Sequence, residues 1–189
     1  MAQPATRKLP RDLAGYWRME AMNIFFVPGI ALYFSTPRNR LEAFAFMSAA
    51  LATAAFLLVG TLYWRGVERR ARLGDRGAKT RAIRLADRFE RPTLLMAVIA
   101  VLLTGWAWST NGWSPAVIAS TALLALTWLE YVNYYHWQLQ IFDHAADWRR
   151  TIATRRLKRA HMARELERFR QLPREGVSNQ NRVVSLRRG

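Results

Sequence analysis

The chain contains no cysteine. That excludes disulfides, thiolate nucleophiles and any zinc or iron–sulfur site built on cysteine. Histidine is nearly as scarce, with His136, His144 and His161 the full set. Histidine-rich membrane hydroxylase chemistry cannot be assembled from that inventory in one chain. There is also no internal repeat, P-loop, dinucleotide-type glycine fingerprint or catalytic serine motif. These absences weigh against an enzyme. They assign no catalytic residue and no metal site, and they leave the cofactor unknown.

What is present is unevenly distributed. Half of the residues are apolar (51%), yet the net charge is +16. The two facts agree once residues are placed along the chain. Apolar residues fall in four blocks, about 13–34, 43–64, 93–108 and 115–135, and the charges lie almost wholly between them. Crossing the hydrocarbon takes about 20 residues at ~1.5 Å each. Backbone groups left unpaired in lipid cost several kcal/mol, so helices are the expected form. Continuous apolar runs exclude the alternating pattern of a barrel. The expected fold is therefore all-α, a polytopic membrane protein with four transmembrane helices. The first block is too long for the apolar region of a signal peptide, and "ALYFSTP" carries no small-x-small cleavage pattern. It reads as a retained span.

Charge sets the orientation. Residues 65–92 carry ten Lys and Arg, and residues from 138 onward carry thirteen, whereas the 109–114 turn carries none. The positive-inside bias then predicts both termini and the middle segment in the cytoplasm. The membrane is expected to be a bacterial inner membrane. Arginines of this kind attract anionic lipid of the inner leaflet, at about 1 kcal/mol per basic residue near the surface. They do not indicate specific nucleic-acid binding. A membrane-complex protein is the other expected partner.

Along the chain, residues 1–12 read as a cytoplasmic lead ending in Asp12 as N-cap of the first helix. Residues 13–142 form the membrane domain, with Pro28 expected to kink span one. Span two, rich in Ala, Ser and Thr, reads as the central packing helix. Its loop to span three, 65–92, is expected to hold two helical pieces split by Gly74 and Gly77. Residues 143–172 read as a basic cytoplasmic helix with a partial stripe of Trp148, Ile152, Leu166 and Phe169. Residues 173–189 read as disordered.

One stretch stands apart: "LEYVNYYHWQLQIFDH", Leu129 to His144. On a helix at 100° per residue, Glu130, Asn133, His136, Gln140 and Asp143 fall within one arc of about 140°. Tyr131, Tyr135, Gln138 and Phe142 lie on the other side. Glu130 lies ~22 Å along span four, and Glu20 and Asn23 lie ~10 and ~15 Å along span one from the opposite direction. These depths coincide in the inner half of the bilayer. An ionisable side chain there costs at least ~2.5 kcal/mol unless paired or hydrated, so these residues should face the bundle. The expected site is an inner-leaflet polar cluster of Arg18, Glu20, Asn23, Glu130, Asn133, His136 and Gln140, with Arg18–Glu130 as one candidate pair. Side chains alone, a lipid head group, a pigment, a quinone or an ion would each suit such a cluster. Glu-x-x-Asn-x-x-His is not the Glu-x-x-His of di-iron bundles.

The run "EYVNYYHWQLQIFDH" resembles a motif of small, uncharacterised integral membrane proteins of cyanobacterial type. The resemblance covers Glu130–His144. It implies a membrane location and is compatible with a photosynthetic host, in which case the membrane would be the thylakoid. It implies no activity and no ligand.

Three function classes follow. The first is an integral membrane scaffold, assembly or interaction protein. The second is a transport or proton-relay subunit using Glu20, Glu130 and His136. The third is a lipid- or pigment-binding membrane enzyme.

Overall fold

The computed structural model describes residues 8–139 and 157–171. Those residues form five helices and no strand: α1 (Lys8–Phe34), α2 (Arg40–Leu73), α3 (Arg76–Asn111), α4 (Pro115–Tyr135) and α5 (His161–Gln171). Three of them, α2, α3 and α4, are long and apolar enough to cross a membrane. α1 carries Arg18 and Glu20 among its apolar residues and is not one of those three. Its backbone is already helical at Lys8, so Asp12 lies inside the helix and is not its cap. α1 also continues through Pro28 to Phe34.

The segment 65–92 holds two helical pieces split at Gly74, as expected, but each is continuous with its neighbouring apolar stretch. α2 runs 34 residues and α3 36, about 51 and 54 Å at 1.5 Å per residue. Both exceed the ~30 Å hydrocarbon core, so they continue past their apolar stretches as an antiparallel pair. Only Gly74 breaks the chain: at φ 69° it takes the left-handed conformation, and its N–H donates to the Arg70 carbonyl. Asp75 then caps α3, its side chain accepting from the Ala78 N–H at 2.9 Å. Gly77, expected to interrupt the helix, falls in the first turn of α3. The arginines in between favour helix on intrinsic propensity, and the pair packs closely. A Cβ at Gly66 would sit 2.7 Å from that of Ala82.

α2 is the central element and packs against α1, α3 and α4. Its small residues make this possible: Ala45, Ala49, Ala52 and Thr53 are fully buried. Thr53 Oγ1 bonds Ala49 O (2.9 Å), Leu123 O (3.1 Å) and Thr127 Oγ1 (2.8 Å), tying α2 to α4 inside the apolar region. At the Gly112 end, Asn39 and Ser114 cap α2 and α4. Glu42 Oε2 accepts from the N–H of Arg38, the residue before the cap, at 2.7 Å and so ties the preceding turn to the start of α2.

α4 ends at Tyr135. The His136 and Trp137 N–H groups both donate to the Val132 carbonyl, at 3.0 and 2.8 Å. The chain then turns into a short antiparallel bridge between Trp137 and Arg159, with Gln138 N–H to Lys158 O at 2.8 Å and Ala160 N–H to His136 O at 3.1 Å. The polar stripe therefore does not continue as helix over residues 136–139. The basic helix expected over 143–172 is, among the described residues, His161–Gln171 alone, since Leu157–Ala160 are not helical. Gln140, Asp143, His144, Trp148 and Ile152 lie outside the described residues.

Candidate functional site: a carboxyl pair and a docked basic helix

The structure brings Glu20 and Glu130 together. Glu20, on α1, is 5% exposed. Its Oε1 accepts a hydrogen bond from the Tyr134 hydroxyl on α4 at 2.8 Å. Glu130, one turn earlier on α4, is close enough for the two carboxyls to act on one another electrostatically. α2 provides the room. A Cβ at Gly60 would lie 2.2 Å from the Tyr134 hydroxyl oxygen and 2.7 Å from Glu20 Oε2. The absence of a side chain there is what admits both groups to the α1–α2–α4 junction. One oxygen of each carboxyl, Glu20 Oε2 and Glu130 Oε2, is buried without a hydrogen-bond partner. Polar atoms in that position need a proton, a cation, a water or a donor from a ligand to be satisfied.

Arg18 and His136 are not in this cluster. Arg18 is exposed, with its guanidinium over the Trp17 ring at 5.5 Å. Two residues along a helix is a 200° rotation, so burying Glu20 turns Arg18 outward, and the Arg18–Glu130 pair does not form. His136 is exposed and caps α4, its ring packed edge-on against Tyr131 at 5.0 Å. Asn133 stays with the pair: its side chain meets the Glu130 carboxyl one turn away, and its Oδ1 accepts from the Leu139 N–H at 3.0 Å, holding the turn after α4. Asn23 is half-buried one turn along α1 from Glu20. Tyr134 and Gly60 were legible only by their neighbours: Tyr134 is i+4 from Glu130, and Gly60 lies in a run of otherwise larger residues.

Next to the carboxyl pair, towards Ser35 and Pro115, α1 and α4 separate. They leave an apolar cleft of about 520 Å³ lined by Val27, Ile30, Ala31, Ile118, Ala122 and Leu126, among others. Its lining would accept a hydrocarbon chain.

At the arginine-rich end, α5 folds back onto the bundle. Met162, Ala163 and Leu166 are buried, and Phe169 packs against the same core as Phe56, Tyr63 and Tyr135. The Tyr63 hydroxyl and His161 Nδ1 are hydrogen-bonded, and the Trp64 ring stacks on the imidazole. Lys79 Nζ pairs with Glu165 at 2.8 Å, both side chains largely buried. Arg170 bridges Asp87 (2.6 Å) and Glu90. Burial lowers the His161 pKa, and the Lys79, Arg164 and Lys158 charges add to this against the opposing charge of Glu165. Burial acts to raise the Glu165 carboxyl, but the Lys79 hydrogen bond and charge outweigh it and hold it below the ordinary carboxylate value. The bond to Glu90 holds the Arg170 guanidinium's pKa above its usual value. The expected stripe of Leu166 and Phe169 is part of this docking face, but the sequence does not show what that face packs against.

Among the described residues no group of three or more Asp, Glu or His is placed to hold a metal ion. No protein-family model, curated protein or solved structure matches the chain.

Proposed function

We propose that this chain is an integral membrane scaffold, assembly or interaction protein. In this reading α1 is a fourth span, both termini are cytoplasmic, and the membrane is a bacterial inner membrane, or a thylakoid in a photosynthetic host. The observation that carries the reading is the docking of α5. A basic segment that merely set topology would need no fixed position, yet α5 is clamped by Lys79–Glu165 and by Arg170 to Asp87 and Glu90. The outward side of α5 then presents Arg164 and Arg168 in a fixed arrangement. A rigid basic platform at the membrane surface suits an acidic protein partner in a membrane complex, with anionic lipid beneath it. The test is a photo-crosslinking amino acid placed in cells at Arg164 or Arg168, with Leu102 as a lipid-facing control. The reading expects one discrete protein adduct from the α5 positions and none from Leu102. Only lipid adducts at all three positions would overturn it.

A second reading, a transport or proton-relay subunit, is favoured by the unpartnered oxygens of Glu20 and Glu130. Buried ionisable groups in a membrane segment commonly mark an ion path. Its test is flux in proteoliposomes, where Glu20→Gln and Glu130→Gln should each abolish transport. Undiminished flux in both would remove it.

A further inference from the structure

Between the charged extensions of α2 and α3 lies a groove of about 210 Å³. Its walls are built by helical spacing: Leu62, Arg65, Gly66 and Arg69 recur on one face of α2, and Ala78, Arg81, Ala82 and Leu85 on the facing side of α3. The floor is Gly66 against Ala82, with no room for a side chain at Gly66. The groove is graded along its length, with Leu62 and Leu85 at the end nearer the apolar stretches and Arg69, Arg81 and Asp75 at the other.

The charges in this groove are incompletely paired. Arg69 and Arg81 reach the same atom, Asp75 Oδ2, at 3.5 and 3.4 Å. A tight charge-assisted bond would be ~2.7–2.9 Å. Asp75 Oδ1 is already occupied by the Ala78 N–H at the start of α3. Arg65 has no carboxylate partner among the described residues, and its guanidinium lies over the Trp17 ring at 5.7 Å. Three arginines against one aspartate leave the groove two positive charges in excess. A second basic cavity differs: Arg88, Arg91 and Arg170 share it with Asp87 and Glu90, which clamp Arg170.

We propose that this groove binds the phosphate of an anionic phospholipid, held by Arg65, Arg69 and Arg81, with its acyl chains descending past Leu62 and Leu85. Guanidinium groups suit phosphate because their N–H donors match its oxygens in pairs. Placement at the membrane surface rests on the membrane reading above, and the graded lining favours a lipid over a free anion. A bound phosphate would also screen Arg69 from Arg81 and so brace the α2–α3 pair.

Native mass spectrometry of the protein titrated with phosphatidylglycerol in phosphatidylcholine nanodiscs tests the site. The variant R65Q/R69Q/R81Q leaves the Asp75 cap intact, and R84Q/R88Q/R91Q removes the same charge elsewhere on α3. About fivefold is expected per arginine, so the first variant should weaken phosphatidylglycerol retention roughly a hundredfold, and the control should weaken it much less. Equal loss in both variants would reduce the effect to general surface charge and overturn the proposal. Displacement of the lipid by equimolar inorganic phosphate would show a free-anion site and overturn it likewise. Nanodiscs expose both faces, so this result is independent of orientation in the cell. A wrong topology and an absent lipid site are therefore separately visible.

Discussion

Replacing Gly60 with alanine places one methyl group where the structure has no space. The new Cβ would meet the Tyr134 hydroxyl oxygen at 2.2 Å, its ring at 2.4 Å and Glu20 Oε2 at 2.7 Å. Tyr134 or Glu20 must move, and their 2.8 Å hydrogen bond is lost with the movement. Overpacking of this kind costs about 1–3 kcal/mol. An interhelical hydrogen bond in a membrane adds about 0.6–1.7 kcal/mol. Alanine returns about 1 kcal/mol through its better helix propensity. The net expectation is a loss of roughly 1–4 kcal/mol, measured by denaturant unfolding in mild detergent micelles. Tyr134→Leu removes the obstructing ring end and hydroxyl. The double variant should then be destabilised by less than the sum of the two single changes, because the lost hydrogen bond is counted once and the clash is relieved. A neutral or stabilised Gly60→Ala protein, or strict additivity in the cycle, would refute the packing described for this junction.

The remaining predictions concern the helix contacts. Acid should release α5: His161 is held below its ordinary pKa by burial, so the folded state binds fewer protons than the unfolded one between that lowered value and about 6.5. Docking is thus fully favoured above about pH 6.5 and weakens as pH falls below it, with a further loss below about 4.5 as Glu165 is protonated. A spin label on Arg168→Cys, in a chain with no other cysteine, should report mobility rising through that window and a shallower response in His161→Phe. Lys79→Ala leaves Glu165 without its 2.8 Å partner and should cost about 1–2 kcal/mol in the same unfolding assay, with a Lys79→Ala/Glu165→Ala cycle showing coupling. Thr53→Leu overfills the fully buried α2–α4 contact and should cost about 1–3 kcal/mol; no loss would mean that α2 and α4 are not in close contact.

The apolar spans were legible because continuous hydrophobic runs need no partner to be recognised. The helical continuation through 65–92 was not, because Gly74 and Gly77 look equivalent in sequence, and only Gly74 adopts a positive φ. Glu20 and Glu130 were found from their cost in lipid, which is a property of the residue and its depth. Arg18 and His136 were misplaced for different reasons. Arg18 lies on the opposite helix face from Glu20, and His136 falls where α4 ends, a boundary fixed by its tertiary bridge to Ala160 and Lys158. Gly60 and Tyr134 matter only as a pair across two helices, and α5 docks through Met162, Leu166 and Phe169 against residues roughly a hundred positions away. Such couplings have no local signature.

The central claim is that α1 is a membrane span bringing Glu20 to Glu130, with both termini in the cytoplasm. The absence of native cysteine makes cysteine accessibility in intact cells the most direct measurement. Single cysteines at Ala5, Thr36, Leu73, Ser109 and Ser178 would be challenged with a membrane-impermeant maleimide before and after permeabilisation. The account predicts external labelling at Thr36 and Ser109 only, with Ala5, Leu73 and Ser178 labelled after permeabilisation. External labelling at Ala5 together with Thr36 would mean that α1 does not cross the membrane, and would contradict the account.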